Sequence, residues 1–423
     1  MAEKKSILKS SAAVIAVMLC SRVLGFLRQA VIAGAFGASG GTDIYFVSSE
    51  FVLNVAGALT GALTTALVTV YIAIREKEGR EAAGELASKV LTLFLLTASG
   101  MLLLLNVFAT QVGSLLAPPY EAAELRELAK YLRFFSVGFL FAAFQSIYAA
   151  VLNANDVFVP GKLYGLIFNP LAMLAILLLG TRLGILSLVY AYYAANLIQM
   201  LLLYLQARKV FRFRPSAAVR DSRLRQVFFL ALPILVSNLV IQLNEVIDKA
   251  ICAYLGVGVA SDYTYAHTLE QFVTGTFTIS ITLILLSKFA DLAAREDRAG
   301  LESLLKKSVT AMVLILCPVA LITVLCSRDI VTLVYMRGQF GEEEVRTTAL
   351  ALAGFAAGFP LVALREIFIR VHFAVQKTRW PMVISTVSVA LNVLLSVILA
   401  RWIGILGVTA ATSTAARNMS RKR

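Results

Sequence analysis

Residues 308–326 read SVTAMVLILCPVALITVLC, a run with no charged side chain from end to end. Wound as an α-helix at about 1.5 Å per residue, it covers about 28 Å, close to the thickness of a bilayer's hydrocarbon core. Nothing in it alternates with the period of two that a membrane barrel strand needs, and in hydrocarbon only helices and closed barrels satisfy every backbone N–H and C=O. Runs of the same character lie on either side of it, at approximately 10–36, 44–73, 89–113, 132–153, 161–180, 183–206, 227–254, 263–289, 347–374 and 381–400. The chain is therefore expected to be all-α, a polytopic transmembrane helix bundle of about eleven spans. A twelfth opens at Gly404-Ile405-Leu406-Gly407, and the basic tail from Arg417 to Arg423 is expected to cut it short. Composition excludes a soluble fold: 59% of the 423 residues are hydrophobic and 15% charged, against roughly 45–50% apolar in soluble domains. The mean hydropathy is +0.81.

A formal charge of +14 invites a nucleic-acid partner, but the cations sit in the links between spans and not on one amphipathic face. Taken alternately, the links are basic: Lys4, Lys5 and Lys9; Arg75, Lys77, Arg80 and Lys89; seven cations between Arg208 and Arg225; Arg295, Arg298, Lys306 and Lys307; Lys377 and Arg379. By the positive-inside rule these links and the N-terminus face the cytoplasm. No nucleic-acid partner is expected. The segment before Ala33-Gly34-Ala35 carries Arg22 and Arg28, which a secretory h-region lacks, so it reads as the first span and not as a signal peptide. Cys20, Cys252, Cys317 and Cys326 show neither a CxxC nor a Cys/His pattern, so no disulfide framework or metal site is expected.

The densest basic link divides the chain into an N-terminal lobe at 1–207, a cytoplasmic linker at 208–225 and a C-terminal lobe at 226–423, each lobe with about six spans. A faint repeat accompanies the division: Ile32-x4-Gly37-x5-Asp43 returns as Ile251-x4-Gly256-x5-Asp262. Paired halves around a midplane site are a common plan for transporters, although Gly and Asp are also ordinary in short turns.

An ionisable side chain inside a span costs roughly 2.5–3.5 kcal/mol on insertion scales, so such residues usually face protein or a watery cavity. Here they are Arg22 and Arg28 in span one, Asp43 and Glu50 in span two, and Glu245, Asp248 and Lys249, with Gln242 and Asn244, in span seven. Span eight carries His267 and Glu270, and span ten carries Arg365, Glu366, Arg370 and His372. The functional reading is a polar cavity whose arginines grip phosphate through their fork of donors. The plain reading is that Glu245 and Lys249, at i and i+4, neutralise each other and that Lys249, Arg370 and His372 snorkel toward an interface. No enzyme is expected, since neither GxSxG nor a phosphate-cradling GxxxxGK[ST] loop is present and the two histidines lie far apart. Without a nucleotide site or cofactor, the membrane potential or a monovalent cation is left to drive the cycle. Pro119, Pro160, Pro170, Pro233, Pro318 and Pro360 fall at or within span ends, where kinks let helices bend around an opening.

Three groups of residues carry a family resemblance. They are Ser21-Arg22-Val23-Leu24-Gly25-Phe26-Leu27-Arg28 with Phe36-Gly37-Ala38 and Thr42-Asp43-x2-Phe46-Val47; Tyr335-x-Arg337-Gly338-x-Phe340; and Arg365-Glu366-x4-Arg370-x2-Phe373-Ala374-x-Gln376-x-Thr378-x2-Pro381. With Leu152-Asn153 and Asn169 between them, the chain resembles the MurJ/MviN family of lipid II flippases over nearly its whole length. The resemblance implies the multidrug/oligosaccharidyl-lipid/polysaccharide exporter fold, two six-helix lobes around a central cavity. In the family two further helices follow and form a lipid-facing groove, so a C-terminally shortened chain is expected.

The resemblance also implies a substrate, undecaprenyl-diphosphate-linked peptidoglycan precursor, moved across the membrane by alternating access, with membrane lipid and cell-wall synthesis proteins as partners. It assigns Arg22, Arg28 and Asp43 to substrate handling and the gate, and Glu50, Arg365, Glu366 and Arg370 are added as cavity candidates from their place in the spans. Two cavity arginines of the family are missing, with Ala56 or Gly57 in one place and Thr268 in the other, and Gln29 stands where an acid usually follows Arg28. Those departures leave a different polyprenyl-linked glycan as the alternative. A cation-coupled drug exporter would need a cavity of acids and aromatics, and a non-transporting scaffold is the remaining class.

Overall fold

A computed structural model describes residues 2–216, 221–374 and 379–417. Helix underlies every expected span, and no strand occurs among the described residues. The first half consists of α1 (Ala2–Phe36), α2 (Gly40–Glu78), α3 (Arg80–Val107), α4 (Ala109–Leu116), α5 (Ala122–Ser136), α6 (Gly138–Ala154), a 3-10 turn at Pro160–Lys162, α7 (Tyr164–Leu183) and α8 (Leu186–Ala207). The second half runs through α9 (Ser222–Leu255), α10 (Val259–Ala294), α11 (Arg298–Leu325), α12 (Ser327–Tyr335), α13 (Glu342–Ala356), α14 (Phe359–Ala374), α15 (Arg379–Ile403) and α16 (Ile405–Arg417). Among the described residues eight helical stretches are long and apolar enough to cross a membrane, and α13 with α14, bent by 42°, makes a ninth. Leucines such as Leu177 and Leu325, both 74% exposed, have a place only against lipid. The protein is a multi-pass membrane protein. Gln376, Lys377 and Thr378, and the tail beyond Arg417, lie outside the described residues.

Local chemistry sets the helix ends. The Glu124 carboxylate accepts the Glu121 N–H at 3.0 Å and closes the start of α5, and Asp297 accepts the Gly300 N–H at 2.8 Å at the start of α11, each meeting donors a first turn leaves open. Glu342, Glu343 and Glu344 crowd the first turn of α13, where the helix dipole favours negative charge. Pro170, Pro233 and Pro318 lie inside α7, α9 and α11, where each removes a backbone hydrogen bond and invites a bend. Pro160 opens the 3-10 turn.

The chain forms two compact units, one of Met1–Ile32 with Ile44–Leu243 and one of Ala33–Asp43 with Asn244–Arg423. In the first, Phe135 stands edge-on to Tyr45 at 5.7 Å and to Tyr192 at 5.1 Å. Residues 208–216 are tied down here. Phe211 is buried against Tyr148 at 5.3 Å, and the backbone N–H groups of Arg214 and Ser216 donate to the hydroxyls of Ser88 and Thr92 on α3. In the second unit, Phe289, Met312, Leu316, Ala363 and Ile367 join α10, α11 and α14 in one core. At the place of the expected twelfth span lies α16, an apolar helix shorter than a full span. Ser413 donates to the Gly354 carbonyl at 2.8 Å, and a Cβ on Gly354 or Gly358 would collide with Thr409 or Ser413, so two glycines let α13 and α16 meet at backbone distance. Lipid tails are as apolar as leucine, so close packing of this kind and interhelical hydrogen bonds hold such helices together.

Candidate functional site

In the first unit the opening motif divides between packing and chemistry. Asn169 Nδ2 donates to the Ser21 carbonyl at 3.1 Å; a Cβ on Gly25 would touch Asn169, and one on Gly165 would strike Ser21. Small residues thus press α1 onto α7. One turn beyond Gly25 that contact sets the Arg28 guanidinium over the Phe168 ring, 4.9 Å from its centre, an attraction of cation to ring face. Phe168 in turn stacks on Tyr164 at 5.6 Å, and the Tyr164 hydroxyl accepts from Asn196 at 3.2 Å. Among the described residues the Arg28 Nε has no hydrogen-bond partner, and no carboxylate forms an ion pair with Arg28. A delocalised cation in an aromatic setting, with donors to spare, is suited to an oxyanion.

Arg22, two turns earlier on α1, and Glu50 on α2 are half-buried in the same unit. So is a cleft of about 510 Å³ lined by α2, α6 and α8. Ala56 and Gly57, where the resemblance expects an arginine, lie on its wall together with Thr60, Gln145 and Tyr164. The lining is neutral apart from Lys162.

The second unit holds Asp43, Arg365, Glu366 and Arg370. Asp43 is fully buried. Its Oδ2 accepts the Gly258 N–H at 2.6 Å, and its Oδ1 accepts the Ser261 N–H at 2.7 Å and the Ser261 hydroxyl at 2.5 Å. This carboxylate of the first turn of α2 therefore caps the start of α10, where backbone donors and helix dipole both favour an anion. Gly258 has φ of +87° and its missing Cβ would strike the Ala38 carbonyl, so glycine is required there. The repeated aspartate, Asp262, accepts instead from the Thr348 hydroxyl at 2.8 Å. The motif around Arg337 is structural as well. The Arg337 guanidinium donates to the carbonyls of Leu333 and Val334 at the end of α12, the Gln339 N–H donates to the Gly34 carbonyl at 2.9 Å, and Tyr265 donates to the Gly37 carbonyl at 2.9 Å.

On α14 the three charges answer one another. Glu366 accepts from Arg365 at 3.2 Å and from Arg370 at 3.4 Å, leaving a net single positive charge on a half-buried face.

Sequence reasoning singled out Asp248 and Asn244 but missed the group they belong to. Asp248 is 1% exposed and accepts from Ser396 at 3.0 Å, from Asn392, Asn244 and Thr412 at 3.3 Å and from Tyr263 at 3.4 Å. Four helices converge on one carboxylate, and most of its partners are neutral hydroxyls or amides. The signal was present in Asn392 and Ser396, four apart on one face of an otherwise apolar helix. No group of three His, Cys, Asp or Glu side chains able to hold a metal ion occurs among the described residues.

Comparison with known proteins fits this picture. The family model described as "Lipid II flippase MurJ" matches residues 32–420. A protein of Treponema pallidum described as "Probable lipid II flippase MurJ" is 24% identical over 431 residues, covering 98% of this chain and 80% of that protein. One of Thermotoga maritima with the same description is 25% identical over 399 residues, covering 93% and 80%. Among solved structures, a lipid II flippase MurJ in an inward closed conformation superposes with a TM-score of 0.85 at 23% identity, covering 98% of this chain and 86% of that one. An inward-facing multidrug resistance transporter of the MATE family superposes at 0.80 and 13% identity, covering 94% and 92%. These two likenesses concern the fold, which is the all-α membrane bundle expected from the sequence; the match to the family model decides the rest. The chain belongs to the lipid II flippase MurJ family.

Proposed function

We propose that this protein is a flippase for undecaprenyl-diphosphate-linked peptidoglycan precursor, a transporter and not an enzyme, working by alternating access in the bacterial inner membrane with its N-terminus in the cytoplasm. The observation that carries the reading is Arg28, an intramembrane guanidinium set on an aromatic ring with no ion pair to an acid among the described residues. Placing such a cation in hydrocarbon is costly, and a passing diphosphate supplies the missing counter-charge. In this reading Arg22 on the same helix and Glu50 on α2, both half-buried in the same unit, serve beside it. In this reading Arg365, Glu366 and Arg370 serve the second half of a six-plus-six arrangement, with 1–207 and 226–423 as the lobes and 208–225 as the cytoplasmic joint. Asp43, tied to the turn before α10, serves as a fastening of the gate. Asp248, a buried acid among neutral oxygens, is where a monovalent cation or a proton would couple to transport. Cell-wall synthesis proteins are the expected partners of the product.

The small and neutral residues Ala56, Gly57 and Thr268 favour one other reading, a flippase for a different polyprenyl-linked glycan. Complementation of a strain depleted of its lipid II flippase separates the two, comparing the parent chain with Arg28→Ala at matched membrane abundance. Rescue by the parent alone supports lipid II as cargo; a well-inserted parent that fails to rescue moves the assignment to another glycan.

A further inference from the structure

The basic link differs along its length in how its charges are answered. At the far end, Asp221 receives Lys89 at 2.8 Å and Arg223 at 3.3 Å, and Arg223 also meets Glu78 at 2.9 Å. At the near end, Arg208, Lys209 and Arg212 are exposed and make no ion pair among the described residues. They line a cleft of about 1280 Å³ whose wall holds no acid. Its floor is aromatic and apolar, with Phe144 stacked on Tyr148 at 4.1 Å and with Leu201 and Tyr204 among the other lining residues. Leu197 and Leu201 are each 57% exposed on α8, a membrane-crossing helix. The cations are held in place over this floor, because buried Phe211 and the hydrogen bonds to Ser88 and Thr92 fix the backbone that carries them.

We infer that this cleft is a binding site for an anionic glycerophospholipid of the leaflet that faces the basic links. The phosphodiester lies among Arg208, Lys209 and Arg212, and an acyl chain runs down the apolar strip of α8. Charge complementarity selects the occupant. Three unanswered cations beside a lipid-facing groove match a lipid that brings a negative headgroup and hydrocarbon together, whereas a zwitterionic lipid brings its own cation and a free phosphate has no use for the groove. The site is apart from Arg28 and independent of which glycan is carried.

The test is native mass spectrometry of the purified full chain, titrated separately with dioleoyl-phosphatidylglycerol, dioleoyl-phosphatidylcholine and undecaprenyl diphosphate. The parent is compared with R208Q/K209Q/R212Q and with R295Q/R298Q/K306Q, which loses the same charge from another link. The expected result is preferential retention of phosphatidylglycerol by the parent, weakened about tenfold or more in the first variant and unchanged in the second. Should the triple variant unfold, Arg208→Gln and Arg212→Gln taken singly are each expected to lose about fivefold. Equal retention of phosphatidylcholine, or equal losses in both triple variants, overturns the proposal by showing that no specific headgroup site exists. Undecaprenyl diphosphate alone depending on the three cations overturns it too, and would assign the patch to the transported lipid.

Discussion

Arg28 and the arginine pair of α14 carry the same chemistry into the membrane, and the fold treats them in opposite ways. Arg365 and Arg370 share Glu366, so their charge is largely answered from within one helix. Arg28 meets a ring face and, among the described residues, forms no ion pair with a carboxylate. The difference arises from spacing. Glu366 and Arg370 are four apart, where helical side chains meet, while the residues one turn either side of Arg28 are Leu24, Gly25, Val31 and Ile32, none of which can pair with it. An arginine with a built-in partner gains little from an anionic ligand; one without gains much. Arg28→Ala is accordingly expected to have the largest effect of any single cavity substitution. The loss of a desolvated charge contact, about 2–5 kcal/mol, corresponds to about thirtyfold or more in transport of the diphosphate lipid into vesicles. Arg28→Lys should restore little, because a point charge lacks the fork. Full activity of Arg28→Ala would break the comparison.

Asp248 is the same contrast with the sign reversed, an acid whose described hydrogen bonds come from hydroxyls and amides. Asp248→Asn keeps the shape and removes the charge. If a cation or proton couples there, transport should lose its dependence on sodium or on pH, with a fall of about tenfold in the rate under a gradient. Unchanged ion dependence in that variant would remove Asp248 from the coupling step. Glu366→Gln sharpens the comparison from the other side, since it turns the α14 pair into arginines of the Arg28 kind. Thermal stability should fall by about 1–3 kcal/mol as a charged hydrogen-bonded partner is lost, and the detergent-purified protein should gain weak binding of inorganic diphosphate. No gain would show that the α14 arginines are held by more than Glu366.

The fold was legible because hydrophobic runs and interrupting cations are one-dimensional signals, and the bilayer allows few answers to them. Sites were legible only as residue types. That Arg22, Arg28, Glu366 and Asp248 lie in spans can be read directly; that Arg28 has a ring and Glu366 two arginines depends on which helices touch. The motif around Arg337 was legible only as a family resemblance and is a clasp, since the Gln339 N–H on the Gly34 carbonyl joins segments some 300 residues apart. Asn392, Ser396 and Thr412 went unremarked for the converse reason. Neutral polar residues cost little in a span, so they draw notice only when a carboxylate is found among them.

The smallest effect expected is at the surface, where the far end of the basic link offers a pair to set against the unanswered cations of its near end. Burial at Asp221 works against ionisation, but the hydrogen bonds from Lys89 and from the Arg223 N–H outweigh it and hold the carboxyl below the usual aspartate value. A folded-state value below the unfolded one of about 4 means that the contact's stabilisation is complete above that pH and is lost as pH falls through the folded value. The contribution should be about 1 kcal/mol, because the desolvation of side chains only 8% and 9% exposed offsets part of the attraction between Lys89 and Asp221. Limited proteolysis of the 208–225 link is the direct readout. In the parent, cleavage at Arg214 or beyond should rise between pH 5 and pH 3 under an acid protease, whereas Lys89→Met should cleave readily at both values. A parent whose link stays as closed at pH 3 as at pH 5 would show that Phe211 and the α3 hydroxyls, and not the Asp221 pair, hold this stretch in place.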